Sequence, residues 1–286
     1  MTGARRVAAV TGAGGYLGSR ICAVLEASGW RVVRLARSPT PGDESMRPFD
    51  LAMPIEPEVL ESVDVLVHTA YDFSLTRSAD IWRVNVEGAR RLVNAARIAK
   101  VRRVLVLSTM SAYPGTTQLY GRAKLDIEAA TLAAGGCAIR PGLVYGDDPA
   151  GMAGALLKVT RLPIVPLVAG SARQYPVHVD DLMTAIAVLA STDTQLTGPI
   201  GIASSTPVAF RDLLEGLAAQ EGRRCRFVPV PWQLVYWGLR AGELLPGTLP
   251  FRADSLLGLV RSAPFVPGGE ELDRLGITLR EFKTAA

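Results

Sequence analysis

The chain has 286 residues, 49% hydrophobic and 20% charged, enough for one large domain or two lobes around a sizeable core, and not a disordered or fibrous composition. The net charge is only +4, and its 31 Lys and Arg are scattered or in short pairs such as Arg5-Arg6, Arg90-Arg91 and Arg223-Arg224, which argues against nucleic acid and leaves small anionic ligands open. Cys22, Cys137 and Cys225 lack metal-like spacing and leave one thiol unpaired in any disulfide scheme; with no signal-peptide pattern and no bilayer-length apolar run, a cytoplasmic protein is expected.

The first strand is expected at 6–12, RVAAVTG, an apolar run closed by glycine, as in a parallel strand buried on both faces. Helical periodicity follows in 16–30, with Leu17, Ile21, Val24 and Leu25 on one side and Gly29 as the stop. RVVRLAR (31–37) reads as a second strand, SMRPFDL (45–51) holds a short third, and DVLVHTA (64–70) is a fourth. A helix through 81–100, a fifth strand at 102–109 and a helix at 119–135 come next, and CAIRPGLVYG (137–146) closes the alternation. Strands separated by helices predict an α/β fold with a doubly wound parallel sheet.

Beyond 146, prolines multiply around apolar clusters such as PVPWQLVYWGL (229–239) and RADSLLGLV (252–260). A smaller, irregular lobe packed over the sheet is expected, with its aromatics in a core rather than on a binding surface. The expected division is 1–146 plus about 177–202 for the sheet-based part, and about 147–176 plus 203–286 for the smaller lobe.

The first strand meets the first helix in VTGAGGYLGSR (10–20), where Gly12, Gly15 and Gly18 stand three apart. Gly12 would permit a tight turn, Gly15 a close approach to a diphosphate, and Gly18 close packing of helix on sheet. The helix behind offers free N–H groups and the positive end of its dipole to phosphates. At this G-x-x-G-x-x-G spacing the sequence resembles the extended short-chain dehydrogenase/reductase family, which contains nucleotide-sugar epimerases and dehydratases. HTA (68–70), NVEGARRLVNAA (85–96), YGRAK (120–124), RPGLVYG (140–146) and VHVDDL (177–182) extend the resemblance in order along the chain.

The resemblance implies a Rossmann-type fold, hydride transfer with NAD or NADP, and a homodimer. It implies cofactor contacts from Gly12, Gly15, Tyr16, Leu17 and Gly18, from Asp50 and Leu51 beside the adenine, and from Thr69, Ala70 and Tyr71. Pro141, Val144 and Lys124 join them, Lys124 by holding the nicotinamide ribose. Asn85 supports the active-site backbone or a water, or is a buried structural side chain. The hydroxyl that holds the substrate oxygen falls to Thr109, with Ser111 as the alternative; Pro114 stands where the family has glycine. Arg173 resembles the family's diphosphate-binding arginine, one residue farther from the His of VHVDDL than is usual.

Tyr120 and Lys124, four apart on a predicted helix, share one face. A free phenol, with a pKa near ~10, is a poor base; a neighbouring ammonium is expected to lower that value and fit Tyr120 for proton transfer to or from a substrate oxygen. The second strand ends in Ala36, Arg37 and Ser38, without the carboxylate that holds the ribose 2′-hydroxyl of NAD. A guanidinium there favours the 2′-phosphate of NADP, with NAD, or a merely solvated Arg37, as alternatives. His68 and His178, the two histidines, suggest no metal set.

The leading expectation is an NAD(P)-dependent oxidoreductase or epimerase acting on a hydroxyl or carbonyl carbon, with a nucleotide sugar as the substrate implied by the resemblance. The segment Thr109-Met110-Ser111 lacks an acid, which argues against dehydration. The alternatives are an NADPH-dependent reductase of an apolar carbonyl compound, steroid- or aldehyde-like, and a non-catalytic dinucleotide-sensing regulator.

Overall fold

The computed structural model describes residues 5–243 and 252–284. The N-terminal half runs β1 (Val7–Thr11), α1 (Tyr16–Ala27), β2 (Arg31–Ala36), β3 (Met46–Pro48), β4 (Val65–His68), α2 (Ser78–Ile81), α3 (Glu87–Ile98) and β5 (Arg103–Leu107). Next come α4 (Leu119–Ala133), β6 (Cys137–Pro141), β7 (Leu143–Tyr145), α5 (Gly151–Thr160), β8 (Val165–Leu167), β9 (Arg173–Gln174) and β10 (Pro176–His178). The described chain continues through α6 (Val179–Ser191), β11 (Pro199–Ile202), β12 (Val208–Ala209), α7 (Phe210–Gln220), β13 (Phe227–Pro229), α8 (Trp232–Gly242), α9 (Ala253–Val260) and α10 (Gly269–Arg274).

Seven strands form one parallel sheet in the order β11-β6-β5-β4-β1-β2-β3, the expected doubly wound, Rossmann-type arrangement. Both faces are covered, and β1 shows why its sequence is uniformly apolar. Ala8 and Val10 pack with Ile21 and Leu25 of α1 and Ile186 of α6, while Val7 and Ala9 pack with Leu92 of α3 on the opposite face. Val106, Ala123 and Ile127 seat α4 against β5. The strand order reverses between β1 and β4, so a crevice opens at their C-terminal ends. Thr11 lies opposite His68, and His68 opposite Val106, which brings the three strand ends together.

The stretch 137–146 holds two strands, not one. A Cβ on Gly142 would lie 1.9 Å from the Tyr175 carbonyl oxygen; the chains cross there, and β7 leaves the large sheet to pair with β10. The third strand is confined to Met46–Pro48. The helix expected from 81 begins at Ser78 and is interrupted by a π-helical turn, Trp82–Val86, between α2 and α3.

Away from the sheet, Leu156, Val165, Phe210, Leu213, Leu217, Leu256 and Leu259 form a further core. The aromatic segment expected inside it is only half there. Trp232, Val235, Tyr236 and Leu239 of α8 pack against this core, whereas Leu234 and Trp237 face outward. Residues 1–4, 244–251 and 285–286, which the expected two-part division includes, lie outside the described residues. No helix among the described residues is long and apolar enough to cross a membrane.

Candidate active site

The glycine turn is built by close contact. Gly12 has φ +66°, its carbonyl accepts from the Gly15 N–H at 2.9 Å, and a Cβ on Gly18 would lie 2.0 Å from that oxygen. Helix α1 starts behind the turn without a side-chain cap, leaving first-turn N–H groups directed at the crevice. A Cβ on Gly14 would meet nothing within 4 Å. This open cradle of N–H donors fits a diphosphate. Tyr16, half-buried beside it, has a hydroxyl with no protein partner and Arg20 stacked 4.1 Å from its ring centroid; Leu17 packs toward the sheet.

Thr11 locks β4 to β1. Its Oγ1 accepts from the Thr69 and Ala70 N–H groups at 3.1 and 3.2 Å and lies 2.7 Å from His68 Nδ1. The hydroxyl proton therefore points at Nδ1, which leaves the imidazole proton on Nε2. Burial, reinforced by the nearby Lys124 charge, lowers the His68 pKa to about 3, so the ring is neutral and structural. Thr69 Oγ1 donates to the Thr11 carbonyl at 2.6 Å, and Thr69 and Ala70 close over Gly12. Asn85, buried on the π-helical turn, accepts from the Asp72 N–H at 2.7 Å and donates to the Asp72 carbonyl at 3.2 Å. Both ends of its amide hold the loop that carries Tyr71.

Tyr120 lies in the first turn of α4. The start of that helix is capped from far along the chain: the Asp254 carboxylate accepts from the Leu119 and Tyr120 N–H groups at 3.0 and 3.2 Å. One turn on, the buried Lys124 donates to the Leu107 carbonyl at 2.7 Å, with its Nζ 4.9 Å from the Tyr71 ring centroid and 5.9 Å from that of Tyr120. Burial lowers the Lys124 pKa to about 8, against the opposing charge of Glu128.

The expected lowering of the Tyr120 pKa is not found; burial raises it. Tyr120 keeps part of its surface open, but Tyr71 packs edge-on at 5.1 Å and Phe73 packs tilted at 5.6 Å, while one of the three Lys124 N–H groups is taken by the Leu107 carbonyl. Arg252 secures this aromatic cover by donating to the Phe73 and Leu75 carbonyls, each at 3.2 Å.

Thr109 and Ser111 follow β5, both half-buried, and the Ser111 N–H donates to Thr109 Oγ1 at 3.2 Å. The Ser111 carbonyl abuts Gly121, where a Cβ would approach within 2.4 Å, so this loop lies against the turn that bears Tyr120.

Beneath Lys124 lies an ionic cluster that the motifs do not reveal. Glu128 is buried, accepts from Ser108 Oγ, and takes two bonds from Arg140, from Nε at 2.9 Å and from the terminal nitrogen at 2.6 Å. Its signal was the i+4 spacing from Lys124 along a buried helix face.

The remaining residues are more dispersed. Arg37 and Ser38 are exposed just past the end of β2. Asp50 closes a turn by accepting from the Ala52 N–H at 2.8 Å, while Leu51 is buried and its carbonyl accepts from Arg91 at 2.7 Å. The Pro141 carbonyl accepts from the Met110 N–H at 3.3 Å, and Val144 is half-buried on β7. Arg173 is exposed on β9, opposite Ala209 of β12. A cleft of about 340 Å³ opens between α8 and α9, lined by Trp232, Tyr236, Trp237 and Leu257 and by Arg261, which donates to Thr117 Oγ1 at 2.7 Å.

Residues 8–200 match the model of the NAD dependent epimerase/dehydratase family. A curated relative, ceramide reductase of Caulobacter vibrioides (strain NA1000 / CB15N), is 27% identical over 244 residues, 80% of this chain and 75% of that protein. The structure of MoeE5 in complex with UDP-glucuronic acid and NAD has a TM-score of 0.72 at 24% identity, covering 96% of this chain and 94% of that one. The UDP-glucuronic acid 4-epimerase from Bacillus cereus in complex with NAD has a TM-score of 0.65 at 21% identity, covering 78% and 87%. At these identities the structural likeness speaks for the fold alone.

Proposed function

Because the chain belongs to the NAD dependent epimerase/dehydratase family, and is thus an enzyme using a nicotinamide dinucleotide, we propose that Tyr120 and Lys124 serve hydride transfer at a hydroxyl- or carbonyl-bearing carbon. The observation that carries this reading is their placement one turn apart on α4, with Lys124 bonded to the end of β5. The dinucleotide, when bound, supplies or takes up the hydride. In reduction Tyr120 gives its phenolic proton to the substrate oxygen, and in oxidation it takes that proton back. A raised phenol pKa keeps Tyr120 protonated, which suits reduction. The Lys124 ammonium, fixed by the Leu107 carbonyl, holds the nicotinamide ribose when the dinucleotide is bound, Thr109 or Ser111 orients the substrate oxygen, and Asn85 acts through the Asp72 loop.

On this reading the sheet-based part, 1–146 plus about 177–202, binds the dinucleotide, and about 147–176 plus 203–286 binds the substrate. The separate core gathered around Phe210 and Leu256 supports that division. NADP is the preferred dinucleotide, supported by exposed Arg37 at the end of β2 and the absence of an acid at Ala36. NADPH is expected to bind roughly tenfold or more tightly than NADH, the scale of one hydrogen bond to a charged group. Fluorescence titration of both would check this; equal affinities, or a gap that Arg37→Ala leaves intact, would overturn it.

For the substrate, the aromatic cleft between α8 and α9 favours a carbonyl compound with a long apolar part, and the name of the Caulobacter relative supports the same class. A nucleotide sugar is the second reading, supported by Arg173 and by the ligands named for MoeE5. Turnover of long-chain ketones with NADPH, and no thermal shift with UDP, GDP or dTDP, is the expected result. A nucleotide shift that Arg173→Ala removes, with NADPH affinity unchanged, would establish the second reading instead.

A further inference from the structure

Helix α8 is apolar on both sides. Trp232, Val235, Tyr236 and Leu239 face the lobe's core, while Leu234, Trp237, Gly238 and Ala241, spaced i, i+3, i+4 and i+7, face outward and are exposed. Leu234 and Trp237 are 66% and 68% exposed, and none of the helix's residues is buried. A helix apolar all round ordinarily lies in an interior, and a contiguous exposed apolar face marks a contact surface. The same lobe exposes Ile164 (58%), just before β8, and Val228 (49%) on the paired strand β13.

The segment that leads into and forms this helix is net positive. From Gly222 to Gly242 the sequence contains four arginines, Arg223, Arg224, Arg226 and Arg240, and no acidic residue. Arg240 pairs with Glu243 at 3.3 Å and Arg223 lies 3.8 Å from Glu221. Arg224 and Arg226 are exposed and make no ion pair among the described residues. An anionic lipid surface is complementary: arginines meet headgroups, and a Trp beside a Leu suits the boundary between headgroups and acyl chains.

We propose that the outer face of α8 seats the protein on an anionic lipid surface. This rests on the apolar-substrate reading to the extent that Trp237 also lines the cleft between α8 and α9, so that a lipid-borne substrate would pass from the bilayer along Trp237 toward Thr117 and the start of α4.

The test is co-sedimentation of the full chain with vesicles of phosphatidylcholine alone or mixed with phosphatidylglycerol. Binding to the mixed vesicles is expected, much weaker with phosphatidylcholine alone and lost at high salt, with a blue shift of tryptophan fluorescence. Arg224→Ala with Arg226→Ala should weaken partitioning about 30-fold, two arginines near a charged bilayer contributing about a kcal/mol each. Leu234→Glu should abolish it while the thermal midpoint stays unchanged. No binding to the mixed vesicles, or wild-type binding by Leu234→Glu, would overturn the proposal. So would a dimer in sedimentation velocity that Leu234→Glu converts to monomer, because a second copy would then own the face. Vesicle binding needs no turnover, so binding without reduction of long-chain ketones upholds the docking face and removes only the substrate reading.

Discussion

Tyr120→Phe is expected to fold, to bind the dinucleotide as the wild type does, and to lose roughly 100- to 10,000-fold in kcat, the range of a positioned proton donor. The substitution deletes one hydroxyl and keeps the ring that packs against Tyr71 and Phe73, so the aromatic cover should survive. Single-turnover reduction of the best carbonyl substrate separates this loss from binding. A rate within a few-fold of wild type would move the proton donor elsewhere, to Thr109 or to water. The pH profile carries a second mark. Lys124 has a pKa lowered to about 8, so it is an ammonium below that pH and neutral above it. The kcat/KM for reduction should therefore fall as pH rises through about 8, and Lys124→Met should remove that limb along with most of the rate.

Glu128→Gln is expected to cost about 3–5 kcal/mol of stability, the scale of breaking a buried ion pair from one side. Gln cannot answer the two bonds that Arg140 presents, and the guanidinium, its side chain only 11% exposed, would be left charged among buried groups. Urea unfolding of the two proteins gives the number, and a loss below about 1 kcal/mol would show that the site relaxes to admit water. The catalytic consequence has a definite sign. Glu128 favours the charged form of Lys124, so its neutralisation should move the alkaline limb of kcat/KM to lower pH.

The parts of the molecule that announce themselves locally were legible in the sequence. Apolar runs gave the parallel strands, and the three spaced glycines gave the turn at the end of β1, because both depend on neighbours a few residues away. The pairing of Tyr120 with Lys124 needed only the pitch of a helix. What was not legible depends on distant chain. Glu128 on α4 meets Arg140 on β6, and Asp254 caps a helix that begins 135 residues earlier. The direction of the Tyr120 pKa depends on burial, to which Tyr71 and Phe73 contribute from another loop, and no spacing rule contains it. Strand β11 is four residues long and includes a glycine, so its pattern is too brief to stand out. The outer half of helix α8 was misjudged for a related reason: its composition suits an interior, and only tertiary structure shows that one side has no cover among the described residues.

The wide turn at Trp82–Val86 makes the site sensitive to chain length as well as to residue identity. A π-helical turn holds one residue more than the α-helical turn it replaces, and here that extra residue lies between two anchors. On α4, Asp126 accepts from the Trp82 indole at 2.8 Å, and on the other side Asn85 clasps Asp72. Deleting any one residue from 83–84 would give a straighter and more regular helix, yet turn one anchor relative to the other by about 100°. The indole and the amide could then no longer reach their partners together. Substitutions around the turn can be tried singly, but a change in the residue count between the two anchors would undo the loop over Tyr120.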